Sequence, residues 1–111
     1  MTAVLDTDRV RALNDILRRT LSGGTLVLTA GIVALGRERQ QLILDAIAAF
    51  DCFEPDDDPH GEHDFGALEA AGERVFFKID CFGRSGRYAS PDPADSSVTH
   101  RMLTVMLARE Y

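Results

Sequence analysis

Residues 65–82 read FGALEAAGERVFFKIDCF. Two runs of strand-forming residues flank Ala71-Gly72, which predicts a β-hairpin of Phe65 to Ala70 and Glu73 to Phe82. On the second strand Val75, Phe77, Ile79 and Cys81 share one face, and Phe76, Lys78, Asp80 and Phe82 share the other. A loop of two or four residues centred on Ala71-Gly72 sets Glu69 opposite Arg74, a cross-strand ion pair, and extends to set His63 opposite Asp80. A three-residue loop shifts the pairing by one and breaks both contacts.

Upstream of the hairpin the chain alternates between helix and strand. Residues 6–21 carry Val10, Leu13, Ile16, Leu17 and Leu21 at helical spacing after a capping Asp6 or Thr7, with Ser22-Gly23-Gly24 as the stop. Thr25 to Ala30 suits a short strand, the next residues (GIVALG) carry no decisive pattern, and residues 37–50 predict a second helix burying Leu42, Ile43, Ala46, Ile47 and Phe50. Downstream, residues 83–95 are rich in Gly, Ser and Pro and predict a loop with an edge strand near Tyr88. Residues from about 95 to 109 place Val98, Met102, Val105 and Met106 on one helical face, widened by Leu103 and Leu107, so a final buried helix is expected there. The expected fold is α+β, a small and mostly antiparallel sheet packed by three helices, in the order helix, strand, helix, hairpin, a further short strand, helix.

At 111 residues the chain has the size of one ordinary domain, and a single domain over residues 1–111 is expected. No apolar run approaches the ~20 residues of a membrane span, and no basic stretch followed by an apolar core marks a secretory signal, so a cytoplasmic protein away from membranes is expected. Cys52 and Cys81 make neither a disulfide framework nor a zinc quartet, and each lies beside a phenylalanine, as buried free thiols do.

The net charge of −6 is a local feature. Residues 51–64 hold seven acids and no Lys or Arg, whereas the other 97 residues hold 11 acids and 12 bases. Such a balance opposes direct binding of nucleic acid, which draws on Lys and Arg at phosphates. Nucleotide loops are also missing: Gly31 and Gly36 lack the Lys-Ser/Thr of a P-loop, and there is no GxGxxG. No serine or cysteine stands in a nucleophile motif, because Ser90, Ser96 and Ser97 lie where turns or a helix start explain them.

The stretch that can carry chemistry is Asp56-Asp57-Asp58-Pro59-His60-Gly61-Glu62-His63-Asp64. Two readings follow from it. Asp56, Asp57, Asp58 and Glu62 can bind a protein partner with a basic surface, occupying a groove meant for a phosphate backbone. Alternatively His60, His63 and Asp64 can ligate a divalent metal such as zinc or manganese, with Asp80 orienting His63, as in a metal-dependent hydrolase or nuclease. Neither HExxH nor the EF-hand spacing is present. A solvated acidic turn on a structural accessory subunit is the third option.

Pro59-His60-Gly61-Glu62-His63-Asp64-Phe65-Gly66 resembles a signature of a family of small bacterial proteins catalogued as a domain of unknown function. The likeness extends to Arg11-Ala12-Leu13-Asn14-Asp15, Leu21-Ser22-Gly23-Gly24, Thr29-Ala30-Gly31, Phe77-Lys78-Ile79-Asp80, Asp92-Pro93-Ala94-Asp95 and Leu103-Thr104-Val105-Met106-Leu107, so it spans nearly the whole chain. It implies no activity, substrate or catalytic residue. It does imply carriage on plasmids and integrated elements, and with that an expected role as a mobile-element inhibitor of a host defence complex that handles nucleic acid. Where this chain has Cys81-Phe82 such proteins often have aromatic residues, which gives Cys81 no special role.

Overall fold

In the computed structural model, which describes residues 6–111, the chain runs through α1 (Asp6–Thr20), β1 (Thr25–Leu28), α2 (Ala30–Val33), α3 (Arg37–Ala49), β2 (Phe65–Ala70), β3 (Glu73–Gly83) and β4 (Thr99–Leu107). Short 3-10 turns, Ser96–Val98 and Ala108–Glu110, bracket β4. The class is α+β.

The hairpin forms in the expected register, with Glu69 opposite Arg74 and their charged groups 3.6 Å apart. Ala71 and Gly72 both take positive φ (52° and 78°), the geometry of a two-residue turn whose twist matches that of the strands. Arg39 of α3 donates twice to the Ala71 carbonyl, at 2.7 and 3.2 Å, and so fixes the turn against the helix layer.

The final segment departs from expectation. Residues 99–107 form a strand, not a helix, and that strand lies inside the sheet, whose order is β1-β4-β3-β2. β4 pairs antiparallel with β3 and parallel with β1, so the sheet is mixed and not mostly antiparallel. The cause is burial on both faces. Leu103, Val105 and Leu107 enter the core on one side while Met106 is buried on the other, and such a continuous apolar run satisfies a helical pattern as well as a strand. Pairing on both edges then decides for the strand. The edge strand expected near Tyr88 reduces to one bridge, Phe82 to Ala89, and the third helix is α2, in the segment that carried no pattern.

The helices cover one face of the sheet. Leu17 of α1, Ile32 of α2 and Ile43 and Ile47 of α3 meet Val75, Phe77, Ile79, Leu103, Val105 and Leu107. α1 is rotated from the face its apolar residues predict: Asn14 and Arg18 are buried, whereas Ile16 and Leu21 are about half exposed. Leu21 itself takes the left-handed conformation (φ 59°) that closes the helix, one residue before the expected Ser-Gly-Gly stop. The opposite face of the sheet, with Phe65, Phe76, Lys78, Asp80 and Phe82, is half exposed. No helix among the described residues is long and apolar enough to cross a membrane.

Candidate functional site

The acidic segment between α3 and β2 is folded, and α1 holds it. Asp57 and Asp58 donate their amides to the Glu54 carbonyl, and Gly61 donates to the Asp58 carbonyl, giving consecutive turns. The Asp58 carboxylate is buried and accepts from the amides of Glu62 (2.9 Å) and His63 (3.2 Å), so it serves the loop's own backbone. From α1, Arg11 donates to the Gly61 carbonyl at 2.9 Å and Asn14 to the Glu62 carbonyl at 3.0 Å. Arg101 of β4 donates to Asn14 Oδ1 at 2.9 Å and orients that amide.

His63 turns inward. Its backbone has φ 55°, its ring stacks on Phe53 with centroids 3.8 Å apart, and its Nδ1 lies 2.9 Å from Asp15 Oδ1. Arg18, fully buried below, donates to the carbonyls of Ile47 (2.7 Å), Ala48 (3.2 Å) and Phe50 (2.7 Å) and to Asp15 (2.9 Å). Its guanidinium carbon lies 5.2 Å from the Phe53 ring centroid. One side chain therefore satisfies the last carbonyls of α3 and joins that helix end to α1 and the loop. Burial alone raises the Asp15 pKa, but hydrogen bonds from Arg18 and His63 outweigh it and hold the carboxyl below its ordinary value.

The residues expected to act together do not all meet. Asp56 and Asp57 are exposed, as a partner-binding pair requires, and neither carboxylate has a salt-bridge partner among the described residues. Asp58 is excluded from such a surface by its burial, and both the amide and the carbonyl of Glu62 are committed to holding the loop. His60 faces solvent while His63 points to α1, so His60, His63 and Asp64 do not converge as metal ligands. Among the described residues no group of three or more His, Cys, Asp or Glu side chains is placed to hold a metal ion. Asp80 pairs with Lys78 at 3.3 Å, and it is Asp15, not Asp80, that orients His63. Among the described residues the expected zinc or manganese ligand set is therefore not assembled.

The carboxyls of Glu62 and Asp64 are both raised, chiefly by burial and next by a neighbouring carboxylate, Asp64 for Glu62 and Asp58 for Asp64. Cys52 is exposed, against expectation, and Cys81 is half-buried. Both thiols are pushed up, Cys52 by its hydrogen bond to Asp51 and Cys81 by burial, which disfavours the nucleophilic thiolate. His100, expected on a helix, stands on β4 with Nε2 3.2 Å from Thr25 Oγ1.

Beside the loop lies a cleft of about 520 Å³ on the uncovered face of the sheet, lined by Asp56, Asp57, Asp64, Phe65, Phe76 and Tyr111 among others. The three rings pack edge to face or tilted, with centroids 5.4, 5.5 and 5.7 Å apart. Neither this aromatic group nor the holding residues of α1 were singled out from the sequence. The signal for the latter is present: Arg11, Asn14, Asp15 and Arg18 stand at i, i+3, i+4 and i+7, a polar row on one helix face.

Comparison with curated proteins and with solved structures returned no match. A family profile described as "Protein of unknown function (DUF3768)" matches residues 28–110, which takes in the loop, the hairpin and β4 and leaves α1 outside. The match covers most of the chain, and the protein therefore belongs to the DUF3768 family.

Proposed function

We propose that this chain is a non-enzymatic interaction module that captures a basic segment of a partner protein where the acidic loop meets the uncovered face of the sheet. One observation carries the reading. The fold fixes the loop through Asp58, Arg11 and Asn14, yet leaves the Asp56 and Asp57 carboxylates exposed at the rim of an aromatic cleft. Holding like charges together opposes stability, and a basic partner relieves that repulsion while the acidic field speeds encounter. A module of this kind can compete for a groove that otherwise holds a phosphate backbone. Inhibition of a nucleic-acid-handling defence complex by a mobile-element protein in the cytoplasm fits that chemistry. The competing metal-dependent hydrolase reading lacks a converging ligand set among the described residues.

The test is affinity capture from cells with the wild-type chain and with the double variant Asp56→Lys/Asp57→Lys, repeated across a salt series. Capture of a discrete partner should fall about tenfold in the variant and should weaken with salt in the wild type. Capture indifferent to both would overturn the reading. So would stoichiometric zinc or manganese in tag-free protein.

A further inference from the structure

Resting on that reading, we infer that the cleft beside the loop is a receptor for one arginine side chain of the partner, its guanidinium set between the Asp56 and Asp57 carboxylates and the outer faces of the Phe65, Phe76 and Tyr111 rings. The volume, about 520 Å³, falls within the roughly 300–1,000 Å³ of ligand pockets and admits a long side chain with its flanking backbone. The three rings touch one another at 5.4 to 5.7 Å between centroids, so no ligand enters between them, and a planar cation lies across their exposed surface.

The lining selects for positive charge. Asp56, Asp57 and Asp64 face it, and Arg74, the one strong base there, is already paired with Glu69 at 3.6 Å. Asp64 is half-buried beside the buried Asp58, so an incoming cation meets a carboxyl that gains from its arrival. Arginine suits the cleft better than lysine. Its guanidinium is weakly hydrated, stacks on aromatic faces and presents a fork of donors to carboxylates, whereas an ammonium keeps its water.

The experiment is an amide NMR titration of the isotopically labelled full chain with the probe peptide acetyl-Gly-Arg-Gly-amide. Versions carrying lysine or citrulline in place of arginine are titrated in parallel. The arginine peptide should shift amides of Asp56, Asp57, Phe65, Phe76 and Tyr111. The lysine form should bind about threefold more weakly and the uncharged, isosteric citrulline form about tenfold more weakly. Tyr111→Ala, at an exposed position, should weaken the arginine peptide about threefold. Asp56→Asn serves as a second variant that leaves the rings intact. Citrulline binding as well as arginine, shifts elsewhere on the surface, or no shift with any peptide would each overturn the inference. The two readings fail separately. Partner capture lost on charge reversal but indifferent to Tyr111→Ala removes the arginine receptor and keeps the acidic module, whereas peptide binding in the cleft with charge-independent partner capture does the reverse.

Discussion

Replacing Arg18 with methionine tests the central claim that α1 organises the acidic loop. Arg18 is 1% exposed, and its Nη1 serves three carbonyls at the end of α3 while its Nη2 meets Asp15. Methionine keeps the apolar volume but strands those acceptors and leaves Asp15 with His63 alone. Removing one partner from a buried charged network costs about 3–5 kcal/mol. The loss here belongs near the lower end, about 3.5 kcal/mol, because Ala48 and Phe50 are half exposed and recover some hydration, and because Arg18 Nε, which finds no hydrogen-bond partner, already carries a desolvation cost. At about 2.1 cal/mol/K of unfolding entropy per residue, a chain of 111 residues should lose ~15 °C in Tm. Arg18→Lys keeps the charge and one nitrogen for the carbonyls but lacks the second nitrogen that meets Asp15, and should lose about half as much. Arg19→Met, exposed on the same helix, should cost under about 0.5 kcal/mol. Calorimetry on the three variants gives the Tm values, and amide exchange over residues 58–63 reports whether the loop opens. An Arg18→Met protein within about 4 °C of wild type would show that the Arg18 network does not hold the loop, since that margin corresponds to only ~1 kcal/mol.

Three further outcomes are expected. Asp58→Ala, which strands the amides of Glu62 and His63, should destabilise by about 2–4 kcal/mol in denaturant unfolding, whereas the adjacent Asp57→Ala should be near neutral. Gly66→Ala drives a methyl into the Phe77 ring and to 2.8 Å from Phe50 Cε1, and overpacking of that kind should cost about 1–3 kcal/mol in the same assay. The pH profile of Tm should show two windows of opposite sign. Because the folded pKa values of Glu62 and Asp64 are raised, the native state takes up protons first as pH falls toward the ordinary carboxylate range of about 4, and stability rises there; Asp64→Asn should flatten that rise. The lowered Asp15 contributes stability that is complete above the unfolded pKa and is lost as pH falls further, through its folded value, so Asp15→Asn should remove part of the acid-side decline.

Local signals were legible where one short-range constraint dominated. The turn at Ala71-Gly72 set the hairpin register, and alternation along β3 set which residues face the helices. The spans of α1 and α3 followed from periodicity to within a residue or two, although Asp6 and Thr7, expected as caps, lie inside α1. The acidic loop stood out as a charge anomaly. Sequence alone, then, determined the α+β class, the hairpin and the place of the charged surface, because turn chemistry, periodicity and charge act over a few neighbouring residues.

The remaining features depend on partners far along the chain. β4 is a strand because β1 and β3 lie on either side of it, and its own apolar run fits both conformations. Asp58 is a structural residue and Asp57 a surface one although the two are neighbours of the same type, because a single turn sends one carboxylate to the loop's amides and the other to water. His63 belongs to Asp15, 48 residues away, and not to Asp80. Tyr111 meets Phe65 and Phe76 only because β4 carries the chain end back across the sheet. Which way a polar side chain turns is set by the groups that desolvate and pair it, and folding alone brings those groups together.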